Sequence, residues 1–491
     1  MNPQNYIACD LGAESGRVIV GSLEGGKLQL NEVHRFSNGP ARIMGTYRWD
    51  TLRIFEELKI GLRKLAERGI TARSLSVDSW GVDYVHTRAS EPQLAIPYNY
   101  RDARTEKTYE MALKKAGPER IFAETGIQFM SINTLYQFIA DLEGMPEVLS
   151  VTERFLLIGD YFNYLFSGRG VAEESLASTT QMYNPRERAW SQDLIGLFGF
   201  DPRIFPKIVP SGTILGPLVD EVAEETKLSG VQVVATCSHD TGAAVAAVPA
   251  EGDDWAYLSS GTWSLIGVEL PEPLINDAVR AANFTNEAGH DGTTRFLKNI
   301  SGLWLLQECR RAWAKEGTQY GYDELTHLAL ETQPLRSLIN PNSPKLARPE
   351  MMPHKIQELC LAQGEPVPET PGQVARCILE SLALTYRIVF EQLRHLTGRP
   401  LARLHIVGGG SQSTLLNQAA ADAIGVPVIA GPVEATAIGN LLVQAIALGD
   451  IDSMASLRRT VRDSFPVTTY TPKDRQAWDA AFERFQQLQR L

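Results

Sequence analysis

The sequence predicts an α/β protein in which a strand-rich segment followed by helices occurs twice. Residues 6–10 and 17–21 have strand-like patterns on either side of a turn, and residues 27–30 extend this meander. The same order of strand, small polar turn and strand returns at residues 255–258 and 263–268, about half a chain later. A pattern that restarts in this way indicates an internal duplication.

Helices are expected between and after these strands. In the first half, Asp50 can cap a helix and Gly69 can end it. The apolar stripe of that helix consists of Leu52, Phe55, Leu58, Leu62 and Leu65. In the second half, residues 371–396 form a long helical stretch that leads to the apolar run at residues 404–407. The polar, Gly/Pro-bearing stretch at residues 249–254 predicts a boundary, which divides the chain into domains 1–248 and 249–491.

Length and charge narrow the class of protein. A chain of 491 residues is too long for one ordinary hydrophobic core, so two domains are expected. The net charge of −11 argues against a broad surface for nucleic acid or for acidic membranes. A nucleotide ligand remains compatible with this charge, because a few N–H groups and a magnesium ion can hold phosphates locally. Small-molecule partners are therefore expected, and the chain is expected to be a monomer or a small homo-oligomer.

Neither a membrane segment nor a structural zinc site or disulfide framework is expected. No apolar run approaches the ~20 residues that span a bilayer, and no early stretch has the pattern of a secretory signal, which predicts a cytoplasmic protein. The five cysteines are odd in number and lack C-x-x-C spacing. They are Cys9, Cys237, Cys309, Cys360 and Cys377.

Two polar turns in the first half have the residue types of a catalytic site. The turn from Asp10 to Arg17 can direct backbone N–H groups at an anion, and Asp10 can hold magnesium through water. An ordinary tight hairpin would have the same composition. Asp240 follows the apolar residues 233–235 and opens an alanine-rich helix, where a carboxylate can act as a general base or simply as a helix cap.

Two further turns lie in the second half. Residues 259–262 form a second small, hydroxyl-rich turn that can offer donors to a phosphate. Residues 408–410 are three glycines between a strand and a helix, which lets a flat ligand approach the backbone, although close strand–helix packing also requires glycine. The chain has neither a P-loop nor a complete G-x-G-x-x-G, so a dinucleotide-dependent oxidoreductase is disfavoured. Together, the four turns predict duplicated actin-like ATPase (ribonuclease H-like) domains with a central cleft.

With these motifs in place, the sequence resembles the FGGY family of carbohydrate kinases over nearly its whole length. The resemblance is carried by residues 9–17, 78–83, 100–104, 126–129, 133–137, 238–241, 283–287, 298–307 and 430–436. The Trp-Gly-Val-Asp element at 80–83 resembles the corresponding element in the branch of the family that acts on L-rhamnulose. Tyr100, Asp102 and Arg104 resemble a Trp-x-Asp-x-Arg element near the sugar pocket of relatives, with Tyr in place of Trp.

The resemblance implies an activity and a set of site residues. The activity is Mg-ATP-dependent phosphorylation of the 1-hydroxyl of L-rhamnulose in L-rhamnose catabolism, with Asp240 as proton acceptor. The N-terminal domain would bind the sugar and the C-terminal domain the nucleotide. The implied ATP-binding residues are Ala13, Glu14, Ser15, Gly16, Arg17, Thr262, Gln307 and Gly409. The implied substrate-binding residues are Gly81, His239, Asp240, Thr241 and Asn299.

Two alternatives remain open from the sequence. Another ketose, such as L-fuculose or xylulose, is the nearer one, because sugar choice depends on few side chains. An actin- or chaperone-like ATPase that cycles on a protein partner is an alternative of a different class.

Overall fold

A computed structural model describes residues 3–348 and 350–489, and it has mixed strands and helices throughout. In these residues the strands are β1 Gln4–Leu11, β2 Ser15–Glu24, β3 Lys27–Ser37, β4 Ala41–Ile43, β5 Thr46–Arg48, β6 Ser74–Ser79, β7 Tyr84–Thr87, β8 Arg154–Leu157, β9 Ala172–Glu173, β10 Tyr183–Asn184, β11 Ala189–Trp190, β12 Ile208–Val209, β13 Thr213–Pro217, β14 Gln232–Ala235, β15 Trp255–Ser260, β16 Trp263–Leu270, β17 Thr285–Ala288, β18 Thr294–Ser301, β19 Arg403–Val407, β20 Val428–Ala430 and β21 Thr468–Tyr470.

The same residues form the following α-helices: α1 Thr51–Glu67, α2 Thr105–Ala116, α3 Pro118–Thr125, α4 Thr134–Gly144, α5 Pro146–Val151, α6 Ile158–Ser167, α7 Glu174–Thr179, α8 Gln192–Phe198, α9 Asp220–Thr226, α10 Asp240–Ala246, α11 Asp277–Ala281, α12 Trp304–Lys315, α13 Tyr322–Leu330, α14 Met352–Ala362, α15 Pro371–Thr397, α16 Thr414–Ile424, α17 Ala435–Ala447, α18 Met454–Ser464 and α19 Arg475–Leu488. Within the described ranges, no helix combines the length and the apolar character needed to cross a membrane.

The chain forms two compact units, and each is assembled from separate stretches of sequence. The first unit comprises the chain through Pro249, together with Glu269–Phe296 and Ala435–Ser464. The second unit comprises Ala250–Val268, Leu297–Glu434 and the chain from Phe465 onward. The assignment of residues 1–248 to sugar binding and 249–491 to nucleotide binding stays a prediction, because compactness does not report which ligand a segment binds.

A six-stranded sheet forms the centre of the first unit, in the order β13-β14-β6-β1-β2-β3. Strands β1, β2 and β3 are antiparallel, whereas β6 runs parallel to both β1 and β14. The apolar faces of this sheet are buried against α1, α6 and α9. Helix α17, although it follows β1 by more than 400 residues in sequence, contacts β1 and β6 within this unit.

The second unit repeats the same local arrangement. Strand β15 pairs antiparallel with β16 and parallel with β19, and β20 and β21 continue the sheet. A hairpin whose first strand also has a parallel partner therefore occurs once in each unit, which confirms the duplication that the sequence predicts. Helix α16 packs against α15 and α19, and their contacts bury a cluster of apolar side chains that includes Leu384, Ala423 and Phe482.

The local predictions are confirmed where the sequence signal is strongest. Helix α1 begins after Asp50, whose carboxylate accepts the N–H of Arg53 at 3.1 Å. Gly69, predicted to stop this helix, has a φ of 68°, in the left-handed region that favours glycine. The long helix predicted at 371–396 is α15, capped by Thr370.

Candidate active site

Asp240 is the first residue of helix α10, directly after the segment that leaves strand β14. His239 is the cap residue of this helix, and the Asp240 carboxylate accepts the Thr241 N–H and hydroxyl instead, the latter at 3.1 Å. The side chain of Asp240 is 32% exposed. Burial raises the pKa of this carboxyl, and the charge of Asp10 raises it further, against the opposing effects of His239 and Thr241. An accessible carboxylate with a raised pKa suits proton abstraction.

Two further aspartates lie beside this position. Asp10 at the end of β1 is paired in register with Asp78 on β6. Asp10 forms an ion pair with Arg17, whereas Asp78 is fully buried and accepts a hydrogen bond from Asn440 Nδ2 at 2.5 Å. Burial raises the pKa of Asp78 well above its ordinary value, and the charges of Asp10 and Asp240 add to this rise. The sequence did not single out Asp78.

A backbone brace holds the segment that precedes Asp240. The buried carboxylate of Glu173 accepts the N–H groups of Ser175 and Ser238, each at 3.0 Å. The hydroxyl of Ser175 in turn accepts the N–H of His239 at 3.0 Å. Burial raises the pKa of Glu173 to about 7, despite these donors. Sequence reasoning missed both Glu173 and Ser175, because more than 60 positions separate them from the turn that they hold.

A second group around His239 involves a buried arginine. His239 Nε2 lies 3.5 Å from Asp240 Oδ1, and Arg295 Nη2 lies 3.1 Å from His239 Nδ1. Glu287 Oε2 is 3.2 Å from Arg295 Nη2 and 3.3 Å from His239 Nδ1. Arg295 is absent from the residues predicted for the site. In the sequence, Arg295 is one of several charged residues between positions 284 and 297, and a charged residue in a strand pattern is too common to be a specific signal.

The Trp-Gly-Val-Asp element lies against the same turn. Ser79 N donates to Ser238 O at 2.8 Å, and Ser79 forms a bridge with His239. A Cβ at Gly81 would meet Thr179 Oγ1 at 2.9 Å, so a larger residue would force Thr179 aside. Val82 has a φ of 67°, which is strained for a β-branched residue and is typical of functional sites. The predicted Gly81 is thus close to the predicted His239.

Asp83 holds this element in place through its hydrogen bonds. Its buried carboxylate accepts the indole N–H of Trp49 at 2.6 Å and that of Trp80 at 3.0 Å. It also accepts the N–H of Tyr100 at 3.1 Å and the Gln137 amide at 3.0 Å. Burial raises the pKa of Asp83 to about 6, while these donors lower it.

Asp102 and Arg104 have structural partners. Asp102 accepts the N–H of Tyr47 at 2.8 Å. The Arg104 guanidinium forms an ion pair with the buried Asp141 and donates to Gln137 at 3.1 Å. These contacts hold the segment around Tyr100, and they engage the Arg104 side chain within the protein.

The predicted phosphate turn at 13–17 is a hairpin between β1 and β2. Gly12 N donates to Ser15 O at 3.0 Å, and Asn38 Nδ2 donates to Gly12 O at 2.8 Å. A Cβ at Gly16 would meet the Phe36 ring at 2.2 Å, so packing alone requires this glycine. Arg17 forms an ion pair with Asp10, so its charge compensates that carboxylate.

In the second unit, Thr262 and Gly409 lie around the end of strand β15. Trp304 N donates to Thr262 O at 3.2 Å, so helix α12, which contains Gln307, starts at the β15–β16 turn. Cβ atoms at Gly408 and Gly410 would meet Ser260 O at 3.0 Å and Ser260 Oγ at 1.9 Å. At Gly409, by contrast, a Cβ would meet nothing within 4 Å. Packing thus accounts for Gly408 and Gly410 and leaves Gly409 open.

The predicted residues fall into two groups. The turn 13–17, Gly81 and residues 239–241 belong to the first compact unit. Thr262, Asn299, Gln307 and Gly409 belong to the second.

A turn of small residues at the start of each unit, a glycine loop and an accessible aspartate at a strand–helix junction are features of kinases and ATPases with duplicated α/β domains. Comparison with known proteins gives the family. Residues 5–247 match the N-terminal domain of the FGGY family of carbohydrate kinases, and residues 256–448 match its C-terminal domain. The chain therefore belongs to the FGGY family of carbohydrate kinases, as the sequence motifs predict.

Curated relatives resemble the chain along nearly its full length. It is 43% identical to a rhamnulokinase of Bacteroides thetaiotaomicron over 482 residues, which cover 98% of this chain and 99% of that protein. It is 42% identical to a rhamnulokinase of Ligilactobacillus salivarius over 468 residues, which cover 95% of each chain.

Solved structures of sugar kinases share the fold. A gluconate kinase from Lactobacillus acidophilus superposes with a TM-score of 0.81 at 16% identity, over 99% of this chain and 98% of that one. A xylulose kinase from the same species gives a TM-score of 0.80 at 15% identity, over the same shares of the two chains. These structures confirm the two-domain α/β fold that the sequence predicts.

Proposed function

We propose that the chain phosphorylates L-rhamnulose with ATP and forms L-rhamnulose 1-phosphate in L-rhamnose catabolism. The observation that carries this proposal is the 43% identity to a rhamnulokinase over 98% of the chain. A carbohydrate kinase of the FGGY family uses ATP as phosphoryl donor, so the donor follows from the family, whereas the sugar follows from the curated relatives. In keeping with this role, we place the enzyme in the cytoplasm, as a monomer or a small homo-oligomer.

Asp240 is the proposed catalytic base. It accepts the proton of the sugar's 1-hydroxyl while the oxygen attacks the γ-phosphorus and the bond to ADP breaks. The accessible carboxylate, its raised pKa and the brace from Glu173 and Ser175 support this role. Gly81, His239, Thr241 and Asn299 are the proposed sugar contacts.

The proposed ATP contacts come from both units. In the first unit they are the turn Ala13, Glu14, Ser15, Gly16 and Arg17, and in the second they are Thr262, Gln307 and Gly409. The hairpin geometry at residues 12–16 and the open space at Gly409 support these roles.

Magnesium is the proposed companion of ATP. In the described part of the chain, no three His, Cys, Asp or Glu side chains have the arrangement of a complete metal site. Magnesium bound to a nucleotide needs only one or two protein carboxylates, because phosphates and water complete its shell. Asp10 and Asp78 fit this chemistry, and among the described residues Asp78 Oδ1 is buried without a hydrogen-bond partner. Bound there, the ion would neutralise charge on the transferred phosphoryl group.

An acceptor panel tests the proposed function. The purified protein is assayed with Mg-ATP and L-rhamnulose, L-fuculose, L-xylulose, D-xylulose or glycerol, and the product is identified by NMR. We expect the highest kcat/KM for L-rhamnulose and phosphate on its 1-oxygen. A preference for D-xylulose or glycerol would overturn the sugar assignment and leave the family intact. ATP hydrolysis that needs no sugar and responds to a protein partner would favour the ATPase alternative.

A further inference from the structure

We infer that Arg295 fixes the tautomer of His239, so that this histidine presents an Nε2–H donor beside Asp240. Arg295 is a positioning residue in this inference, because it acts through His239 and does not itself touch the reacting atoms. The inference rests on the proposed function only for the identity of the sugar that His239 would face.

The chemistry of arginine determines which side chain donates the hydrogen bond between Arg295 and His239. Arg295 Nη2 lies 3.1 Å from His239 Nδ1, with its N–H directed at that atom. A guanidinium has five N–H donors, has no acceptor and keeps its proton in proteins. Nδ1 must therefore accept, which leaves the imidazole neutral with its only proton on Nε2.

Glu287 supports the same arrangement. Its Oε2 is 3.2 Å from Arg295 Nη2, so the buried cation has a counter-charge. The same oxygen is 3.3 Å from His239 Nδ1 and defines the competing arrangement, in which Nδ1–H donates to Glu287. That arrangement would bring two N–H donors within 3.1 Å of each other, with the Arg295 N–H aimed at the second proton. The Arg295-to-Nδ1 hydrogen bond avoids this conflict.

A hydrogen bond to a backbone carbonyl also holds the guanidinium in place. Arg295 is fully buried on β18, and its Nε donates to Ala288 O at 3.0 Å. In residues 3–348 and 350–489, its Nη1 is buried and has no hydrogen-bond partner. A buried arginine with one unsatisfied nitrogen is a poor choice for stability alone. Its defined contact with His239 gives it a role at the site.

The donor on Nε2 has a consequence for the chemistry. His239 Nε2 is 3.5 Å from Asp240 Oδ1, slightly longer than a good hydrogen bond. The N–H therefore faces the catalytic carboxylate and the space beside it, where it can donate to a lone pair of a sugar oxygen. It cannot accept a hydroxyl proton there, so His239 does not compete with Asp240 as the base.

The first test reads the tautomer directly. The intact protein is labelled with 15N-histidine, and the His239 signal is identified by its loss in His239→Asn. Long-range proton–nitrogen correlation spectra distinguish a protonated from an unprotonated ring nitrogen. We expect a neutral ring with Nε2 protonated and Nδ1 unprotonated. A proton on Nδ1, alone or together with one on Nε2, would overturn the inference. This readout needs neither sugar nor ATP, so it stands independently of the substrate assignment.

The second test perturbs Arg295. Arg295→Lys keeps the charge beside Glu287 but lacks the forked donor, so we expect mixed His239 tautomers and a kcat lower by roughly tenfold to a hundredfold. KM for ATP and the melting temperature should change little. The matched control is Arg280→Lys, since Arg280 lies in the same stretch of chain and pairs with Glu119 and Asp277 instead. An unchanged tautomer and kcat in Arg295→Lys would contradict the inference.

A third comparison covers the case in which Arg295→Lys does not fold. The paired change Arg295→Met with Glu287→Gln removes both charges together and should give the same mixed tautomers. In addition, glutamine at position 239 can place an amide N–H near the Nε2 position, whereas asparagine places one near Nδ1. We expect His239→Gln to retain about tenfold more activity than His239→Asn. Equal or reversed activities would count against a donor at Nε2, and the wild-type spectrum decides if no variant folds.

Discussion

Three aspartates lie near one another in the first unit, and their surroundings separate their roles. Asp78 is fully buried and receives the Asn440 amide, and Asp10 is paired with Arg17. Asp240 is 32% exposed, and its carboxylate accepts hydrogen bonds from the N–H and the hydroxyl of its neighbour Thr241. These differences support the proposed roles, in which Asp240 accepts the proton of a sugar hydroxyl and Asp10 and Asp78 hold a cation.

Replacing the proposed base tests this division. Asp240→Asn keeps the size of the side chain but removes its basicity, so kcat should fall by about 100- to 10,000-fold. KM for ATP should stay close to the wild-type value, because Asp240 is not among the proposed ATP contacts. A coupled ADP-release assay measures both. Asp277→Asn, at a side chain that is 93% exposed, is the control and should be fully active. Turnover near the wild-type level in Asp240→Asn would remove Asp240 from the mechanism.

Glu173 predicts a pH dependence of stability. Burial raises its pKa in the folded protein to about 7, above its ordinary value of 4.5. A raised folded pKa means that its contribution to the free energy of unfolding is fully present below pH 4.5 and is lost as the pH rises through 7. The loss amounts to about 3 kcal/mol at most.

Urea unfolding of the wild type and of Glu173→Gln between pH 4.5 and 8 measures this effect. We expect the difference in unfolding free energy, wild type minus variant, to decrease up to about pH 7 and then to level off. Glu272→Gln is the control, because Glu272 is exposed and has no part in the brace. A difference that is constant over the whole pH range would contradict the prediction.

At the scale of elements, the sequence predicts what local patterns determine. The β1–β2 and β15–β16 hairpins, the capped helix α1 and the long helix α15 follow from alternation, helical periodicity, caps and glycines. The same patterns could not show that Glu173 and Ser175 hold the turn before Asp240, because that contact joins elements more than 60 positions apart. The site was predictable where one motif contains it and not where the fold assembles it.

The contact between α10 and α17 depends on one glycine. A Cβ at Gly439 would meet the carbonyl oxygen of Ala243 at 1.8 Å, and a backbone atom cannot rotate away. Gly439→Ala should therefore lower the free energy of unfolding by about 1–3 kcal/mol. Since α10 begins with Asp240, kcat should also decrease.

Denaturant unfolding and the kinase assay check both parts of this prediction. The matched control is Gly196→Ala in helix α8, where a Cβ would meet nothing within 4 Å. Alanine should be neutral or stabilising there, by up to about 1 kcal/mol, because it favours the helix more than glycine does. Gly439→Ala with the stability of the wild type would show that the two helices can separate without cost.

At the scale of the whole molecule, the least predictable feature is that the two compact units alternate along the chain, so that each consists of three separate stretches. The first stretch of the first unit ends at Pro249, next to the boundary that the sequence predicts. Yet the same unit also contains Glu269–Phe296 and Ala435–Ser464. Arg295 and Asn440 come from these later stretches. The sequence carries no information on which sheet the helix Ala435–Ala447 covers.

This division predicts that residues 1–249 cannot fold by themselves. In the intact chain, Gln444 Nε2 donates to Ile7 O at 2.9 Å, and Ser74 Oγ donates to Gln444 Oε1 at 2.6 Å. Tyr6 and Arg73 both pair with Asp450. Without residues 435–464, the apolar faces of β1 and β6 and these polar groups lose their covering helix at the same time. Exposed apolar surface and unpaired buried polar groups are both destabilising.

The fragment 1–249 should consequently lack a cooperative thermal transition, show weak near-ultraviolet circular dichroism and bind a hydrophobic dye. The full chain under the same conditions is the reference. A second fragment, in which a flexible linker joins residues 435–464 to residue 249, restores the helix that covers β1 and β6 and should regain part of the transition. If 1–249 instead melts cooperatively near the temperature of the full chain, helix α17 is a dispensable addition and the first unit is complete at Pro249.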